Sequence, residues 1–145
     1  MPRTYSELYI AVRNRLREAG IEAAELEGKL ITATAAGKTT EKLLRDMRFY
    51  ATDEVEKRAE SMLKRRLAGE PVAYITGVWE FRGLPMEVSP AVLIPRVDTE
   101  VLAETAINWL HGRKMDARVL DLCSGSGCIG CAIADALPQT RVVLS

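Results

Sequence analysis

Cysteine, histidine and aromatic residues are scarce in this chain, net charge is nil, and no long apolar run occurs. The three cysteines fall together at positions 123, 128 and 131. They are too few and too clustered for a disulfide framework, so a reducing, cytoplasmic setting is expected. Twenty Lys and Arg offset twenty Asp and Glu. That removes the global basic field used by nucleic-acid binders, and direct nucleic-acid binding is not expected. No segment approaches the roughly 20 apolar residues of a membrane span, so no membrane role is expected. Met1-Pro2-Arg3-Thr4-Tyr5-Ser6-Glu7 lacks the basic-then-apolar build of a secretory signal. What is present suits a folded protein: 145 residues, 48% hydrophobic and 28% charged. High apolar content without net charge argues against disorder. The length fits one ordinary core or two very small ones.

The character of the chain changes twice, and the class expected is α+β. Residues 1–70 read as a helical bundle. Thr4 and Glu7 form a capping box ahead of Tyr5, Leu8, Tyr9, Val12 and Leu16, and Gly20 ends that helix. A second helix is expected from Glu22 to Ala36 with Leu26, Leu30 and Ile31 inward. Thr39 or Thr40 caps a short third carrying Leu43, Leu44 and Met47. Thr52 opens a fourth, with Val55, Ala59, Met62, Leu63 and Leu67 on one stripe. From Pro71 to Pro95 the period shifts towards two, and strands on either side of Gly83 predict a β-hairpin connector. Residues 96–145 read as α then β-α-β. Asp98 or Thr99 caps a helix containing Val101, Leu102, Ala106 and Leu110. Arg118–Leu122 is a buried-type strand, Cys128–Leu137 a helix, and Arg141–Ser145 a second strand.

Between that first strand and its helix lies Gly125-Ser126-Gly127-Cys128-Ile129-Gly130, a G-x-G-x-x-G turn in its proper setting. Small residues let a ligand approach the backbone, and the helix N-terminus offers free amides and a positive dipole end. Such a turn suits a pyrophosphate or the carboxylate of an amino-acid-like cofactor. Asp121 tilts the choice, since a carboxylate there repels a diphosphate but suits a cationic aminopropyl group. The plainer alternative is that Asp121 caps the turn and the glycines only permit close helix–strand packing.

These residues resemble a known family, the release-factor glutamine methyltransferases called PrmC or HemK. Gly69-Glu70-Pro71-Val72-Ala73-Tyr74-Ile75-Thr76-Gly77 is similar to the family's link out of its helical domain. Glu80–Pro85 and Val88–Glu100 are similar to its hairpin and the lead into its catalytic domain. Val119–Gly127 is similar to the cofactor motif of class I methyltransferases. The resemblance implies a Rossmann-like α/β domain beginning near residue 96, after a substrate-recognising helical domain. It implies S-adenosyl-L-methionine as cofactor, held by Asp121, Cys123, Ser124, Gly125, Ser126 and Gly127. Pro95, Arg96, Asp98, Thr99 and Glu100 would shape the nearby edge. The implied reaction is methylation of the side-chain amide nitrogen of glutamine in the Gly-Gly-Gln motif of peptide-chain release factors.

Three departures stand out. Cys123 sits where the cofactor motif often has its first glycine, and Val97 replaces a proline. The family's Asn-Pro-Pro-Tyr motif, which holds the target amide, is absent from the 145 residues. The chain is therefore read as truncated after its first β-α-β unit and catalytically inactive alone. No catalytic residue is assigned to it, and self-association through an exposed sheet edge is expected.

Other clusters weigh less. Cys128-x-x-Cys131 lacks a second pair for zinc, so small buried thiols are expected and no metal site. His111 suits a helix end, and Lys57-Arg58 with Lys64-Arg65-Arg66 a solvated helix face. Trp79 and Phe81 are read as core. Two rival functions remain open: an NAD-dependent oxidoreductase using the same turn, and a non-catalytic helical module that binds a partner.

Overall fold

The computed structural model describes residues 2–113 and 117–145. The class is α+β with helices predominating. The chain divides into two compact units, Met1–Thr76 and Gly77–Ser145, so residues of the expected 71–95 connector fall on both sides of the division.

The first unit is helical. In α1 (Tyr5–Glu18) the Thr4 hydroxyl accepts from the Glu7 amide, and the Glu7 carboxylate accepts from the Thr4 amide at 2.7 Å. Two further free amides of the first turn find backbone acceptors, Tyr5 on Phe49 and Ser6 on Met47. The N-terminus of α1 is thus fully anchored. Tyr5, Leu8, Val12 and Leu16 are buried, as their spacing predicts. The second helix, α2, spans Ala24–Ala35, and its buried face differs from the one expected. Ile31 is buried and Leu30 half-buried, in line with their spacing, but Leu26 is 53% exposed, while Glu27, Gly28, Thr32 and Ala35 turn inward. Gly28 decides this, because a Cβ there would meet the Tyr9 ring and the Arg13 side chain at 3.3 Å. The glycine lets α1 and α2 approach closely, and that contact fixes the rotation of α2.

Buried Glu27 is paired bidentately with Arg66 of α4 (Asp53–Leu67), at 2.6 and 3.2 Å. Thr39 caps α3 (Thr40–Arg45) and Thr52 caps α4. Leu43 is buried but Leu44 is exposed. The helix α5 (Val72–Thr76) overturns the extended reading that began at Pro71. β-Branched Val72, Ile75 and Thr76 suggest strand. Instead the Pro71 carbonyl accepts from Tyr74 and Ile75, and Val72, Ala73 and Ile75 are buried along one turn.

The second unit opens with the expected antiparallel hairpin, β1 (Val78–Phe81) and β2 (Leu84–Glu87), with Trp79 opposite Met86. Arg82 and Gly83 both have positive φ, 49° and 77°, the pattern of a two-residue type I′ turn. Phe81, Met86 and Val88 are buried. The helix α6 (Val97–His111) is preceded by Arg96 at the cap, with no side-chain cap bond. The expected capping by Asp98 or Thr99 does not occur, since both already lie within the first helical turn. Of the apolar residues named for this helix Leu110 is buried while Val101 and Leu102 are exposed, and Ala103 and Ile107 complete its buried face.

Strands β3 (Arg118–Asp121) and β4 (Arg141–Leu144) pair in parallel around α7 (Cys128–Ala136). Val119 and Val142 pack against a core of Ile107, Leu110 and Ile133, contributed by α6 and α7. The opposite face of this two-stranded sheet carries Leu120, Leu122 and Val143, which are 62%, 68% and 59% exposed.

Candidate functional site

The turn from β3 into α7 is defined by its backbone. Cys123, Gly125 and Gly127 all have positive φ, at 58°, 58° and 76°. The amide of Gly127 donates to the Ser124 carbonyl at 2.8 Å, closing a tight turn. The ladder to β4 continues past the strands: Ser145 donates to the Asp121 carbonyl at 3.0 Å, and Ser124 donates to the Ser145 carbonyl at 2.8 Å. The Ser124 hydroxyl donates to the same carbonyl.

The three glycines do different things. A Cβ on Gly125 would meet nothing within 4 Å, so the backbone there faces open space. A Cβ on Gly127 would lie 2.9 Å from Leu144 Cδ1. On Gly130 it would lie 2.2 Å from Leu144 Cδ2, 3.1 Å from Val142 Cγ1 and 3.2 Å from Asp121 Oδ2. Gly127 and Gly130 therefore admit β4 to α7, and Gly125 is the one at which a ligand can meet bare backbone. Asp121, half-buried, accepts a hydrogen bond from the Gly130 amide at 3.0 Å through Oδ2. With Gly130 engaged, the amides that helix geometry leaves open are those of Cys128 and Ile129. They sit at the positive end of α7, beside the open face of Gly125.

Asp121, Cys123, Ser124, Gly125, Ser126 and Gly127 are thus contiguous around one turn. Pro95 and Arg96 precede α6, Asp98, Thr99 and Glu100 lie in its first turn, and among the described residues none of their hydrogen bonds reaches the glycine turn. Glu100 instead accepts from the Arg82 amide at 2.9 Å, and the Arg82 guanidinium lies 3.6 Å from Glu104. This clasp ties the hairpin tip to α6, and its signal in the sequence is only an acid pair four residues apart. Cys123 is exposed, against the expectation of a buried thiol; Cys128 is buried and Cys131 half-buried. Among the described residues no group of three or more His, Cys, Asp or Glu is placed to hold a metal ion. His111 occupies the last turn of α6.

The basic run of α4 is the solvated helix face expected at Lys57, Arg58, Lys64 and Arg65, all exposed, and departs from it at half-buried Arg66. Arg66 is bound to Glu27, and Arg65 donates twice to Glu70, at 2.7 and 2.6 Å. Those bonds hold the Glu70 carboxyl below its usual range. A cavity of about 620 Å³ lies in the helical unit between α1 and α4, and contains none of the turn residues. Its lining includes Leu8, Val12 and Leu63; the ion pair Arg15–Glu60 joins the two helices, and Arg3–Glu56 ties the segment before α1 to α4.

Residues 7–77 match the family model described as the PrmC N-terminal domain. A Bordetella pertussis protein named release factor glutamine methyltransferase is 44% identical over 121 residues, covering 81% of this chain and 43% of that protein. The protein of that name from Bifidobacterium longum is 38% identical over 135 residues, 89% of this chain and 45% of its own length. The one from Escherichia coli K12 is 46% identical over 92 residues, 63% and 32% respectively. The chain spans less than half the length of these relatives. Matches over 81% and 89% of the chain extend beyond residues 7–77, and together with the family model they place this chain in the family of release factor glutamine methyltransferases.

Proposed function

We propose that this chain carries the helical recognition part and the cofactor turn of an S-adenosylmethionine-dependent methyltransferase. Its target would be a glutamine side chain in the Gly-Gly-Gln motif of cytoplasmic peptide-chain release factors. The observation that supports this most is the turn at 121–130. It joins a parallel β-α-β unit, opens at Gly125, and sets two free amides at the positive end of α7. In this reading β3, α7 and β4 begin a Rossmann-like domain.

The residues fit the cofactor's amino-acid end. A carboxylate suits the Cys128 and Ile129 amides, and the bare Gly125 backbone admits close approach. When bound, S-adenosylmethionine supplies a methyl group activated by its sulfonium. The chain's own contribution is to hold and orient that end of the molecule. An amide nitrogen is a poor nucleophile because its lone pair is delocalised, so transfer depends on positioning and on acceptors for its two N–H bonds. The resemblance assigns those acceptors to Asn-Pro-Pro-Tyr, which does not occur in these 145 residues. The chain by itself is therefore expected to bind cofactor without turnover.

Calorimetric titration of the 145-residue chain tests the assignment. Saturable binding of S-adenosylmethionine and its demethylated product, with none of NAD, is expected. Binding of NAD instead would favour an oxidoreductase, because the Asp121 carboxylate would then have to tolerate a diphosphate. Absence of any cofactor binding would favour the partner-binding module. Methyl transfer by this chain alone would overturn the division of labour drawn here.

A further inference from the structure

We propose that Asp121 serves the cofactor turn as a positioning residue. It acts as the missing N-cap of α7 and not as a charge partner for the ligand. The inference rests on the cofactor reading above and concerns how that site is built.

The residue at the N-cap of α7 is Gly127, which makes no side-chain cap bond. Ordinarily a Ser, Thr, Asp or Asn there accepts from an amide of the first turn. Here that choice is closed on two counts. Gly127 has φ 76°, and a Cβ on it would lie 2.9 Å from Leu144. The cap must come from elsewhere, and it comes from the end of the preceding strand. Asp121 Oδ2 takes the amide of Gly130, the third residue of α7, at 3.0 Å. Gly130 is suited to receive it, because a side chain there would crowd Leu144, Val142 and Asp121 itself. Asp121, Gly127, Gly130 and Leu144 thus form one device. Two glycines let β4 close on α7, and the carboxylate restores the cap that the first of them forgoes. The bond pins the first turn of α7 to β3 and leaves the Cys128 and Ile129 amides open over the turn. The requirement at 121 is an acceptor of the right reach, which Asn also provides.

The test compares Asp121→Asn with Asp121→Ala in the 145-residue chain, reading hydrogen exchange of the Gly130 amide and affinity for S-adenosylmethionine. In Asp121→Ala the Gly130 amide is expected to exchange about tenfold faster, and affinity to fall about tenfold. Asp121→Asn is expected to restore both to within about threefold of the parent. Two outcomes overturn the proposal. One is a Gly130 amide indifferent to Asp121→Ala. The other is an Asn variant that keeps Gly130 protected yet loses S-adenosylmethionine about as much as Ala, while 5′-methylthioadenosine, which lacks the amino-acid end, binds it as it binds the parent. Should Asp121→Ala not fold, the Asn variant decides alone through its affinity. Should the parent bind no S-adenosylmethionine, the cofactor reading fails, and the exchange comparison still decides the cap.

Discussion

Cys123 stands in a backbone conformation that favours glycine, with φ 58°. An L-residue in the left-handed region pays roughly 1–2 kcal/mol for its Cβ, while glycine gives back roughly 0.5–1 kcal/mol in unfolded-state freedom. Cys123→Gly is therefore expected to stabilise the chain by about 0.5–1 kcal/mol, measured by urea denaturation. The same arithmetic makes the neighbouring Gly125→Ala mildly destabilising, by about 0.5–1 kcal/mol, since φ is again 58° and no clash adds to it. Its effect should fall on the ligand. A methyl group in the open space is expected to weaken S-adenosylmethionine by about tenfold or more while the Gly130 amide stays protected. Affinity that survives Gly125→Ala would mean the ligand does not approach the backbone there.

At the scale of single elements, the signals read most directly were the local ones. Thr4 with Glu7, Thr39, Thr52 and the Arg82-Gly83 hairpin all act within a few residues, so their chemistry shows in the order of the chain. The capping box also carries a pH signature. Hydrogen bonds from Thr4 hold the Glu7 carboxyl below its usual range. A carboxylate lowered in the folded state stabilises above its unfolded pKa of about 4.3. That contribution is lost as pH falls through the lower folded value. The stability gap between parent and Glu7→Gln should hence be constant above about pH 5 and shrink below it. Contacts between distant residues were not legible. Leu26 reads as core until Gly28 turns α2 towards α1, and nothing local links Glu27 to Arg66 across 39 positions. Their side chains are 10% and 20% exposed, so removing one leaves the other poorly solvated. Glu27→Ala should cost about 2 kcal/mol. A Glu27→Ala/Arg66→Ala pair should lose less than the sum of the single changes. Additive losses would mean the pair does not couple α2 to α4.

On the scale of the whole molecule, the candidate turn was legible as a motif but its division of labour was not. Gly125, Gly127 and Gly130 look alike in the sequence, and only the position of Leu144 separates the open one from the two that pack. The sheet beneath them raises a separate issue of coverage. α6 and α7 contribute to a core with Val119 and Val142 on one face, while Leu120, Leu122 and Val143 stand exposed on the other. Leu120 and Val143 are register partners, so their side chains adjoin across the two strands. An exposed apolar face beside a strand with free edge groups is a template for association. In light scattering, the 145-residue chain is expected to show an apparent mass that rises with concentration. Placing opposite charges on that face, Leu120→Lys with Val143→Glu, replaces two exposed apolar groups by a cross-strand ion pair. Stability should change by no more than about 0.5 kcal/mol, because both sites are already solvated. Association should fall towards the monomer if the face drives it. A mass that rises equally in both proteins would move the contact to another surface, with the exposed side of α6 at Val97, Val101 and Trp109 the next to substitute.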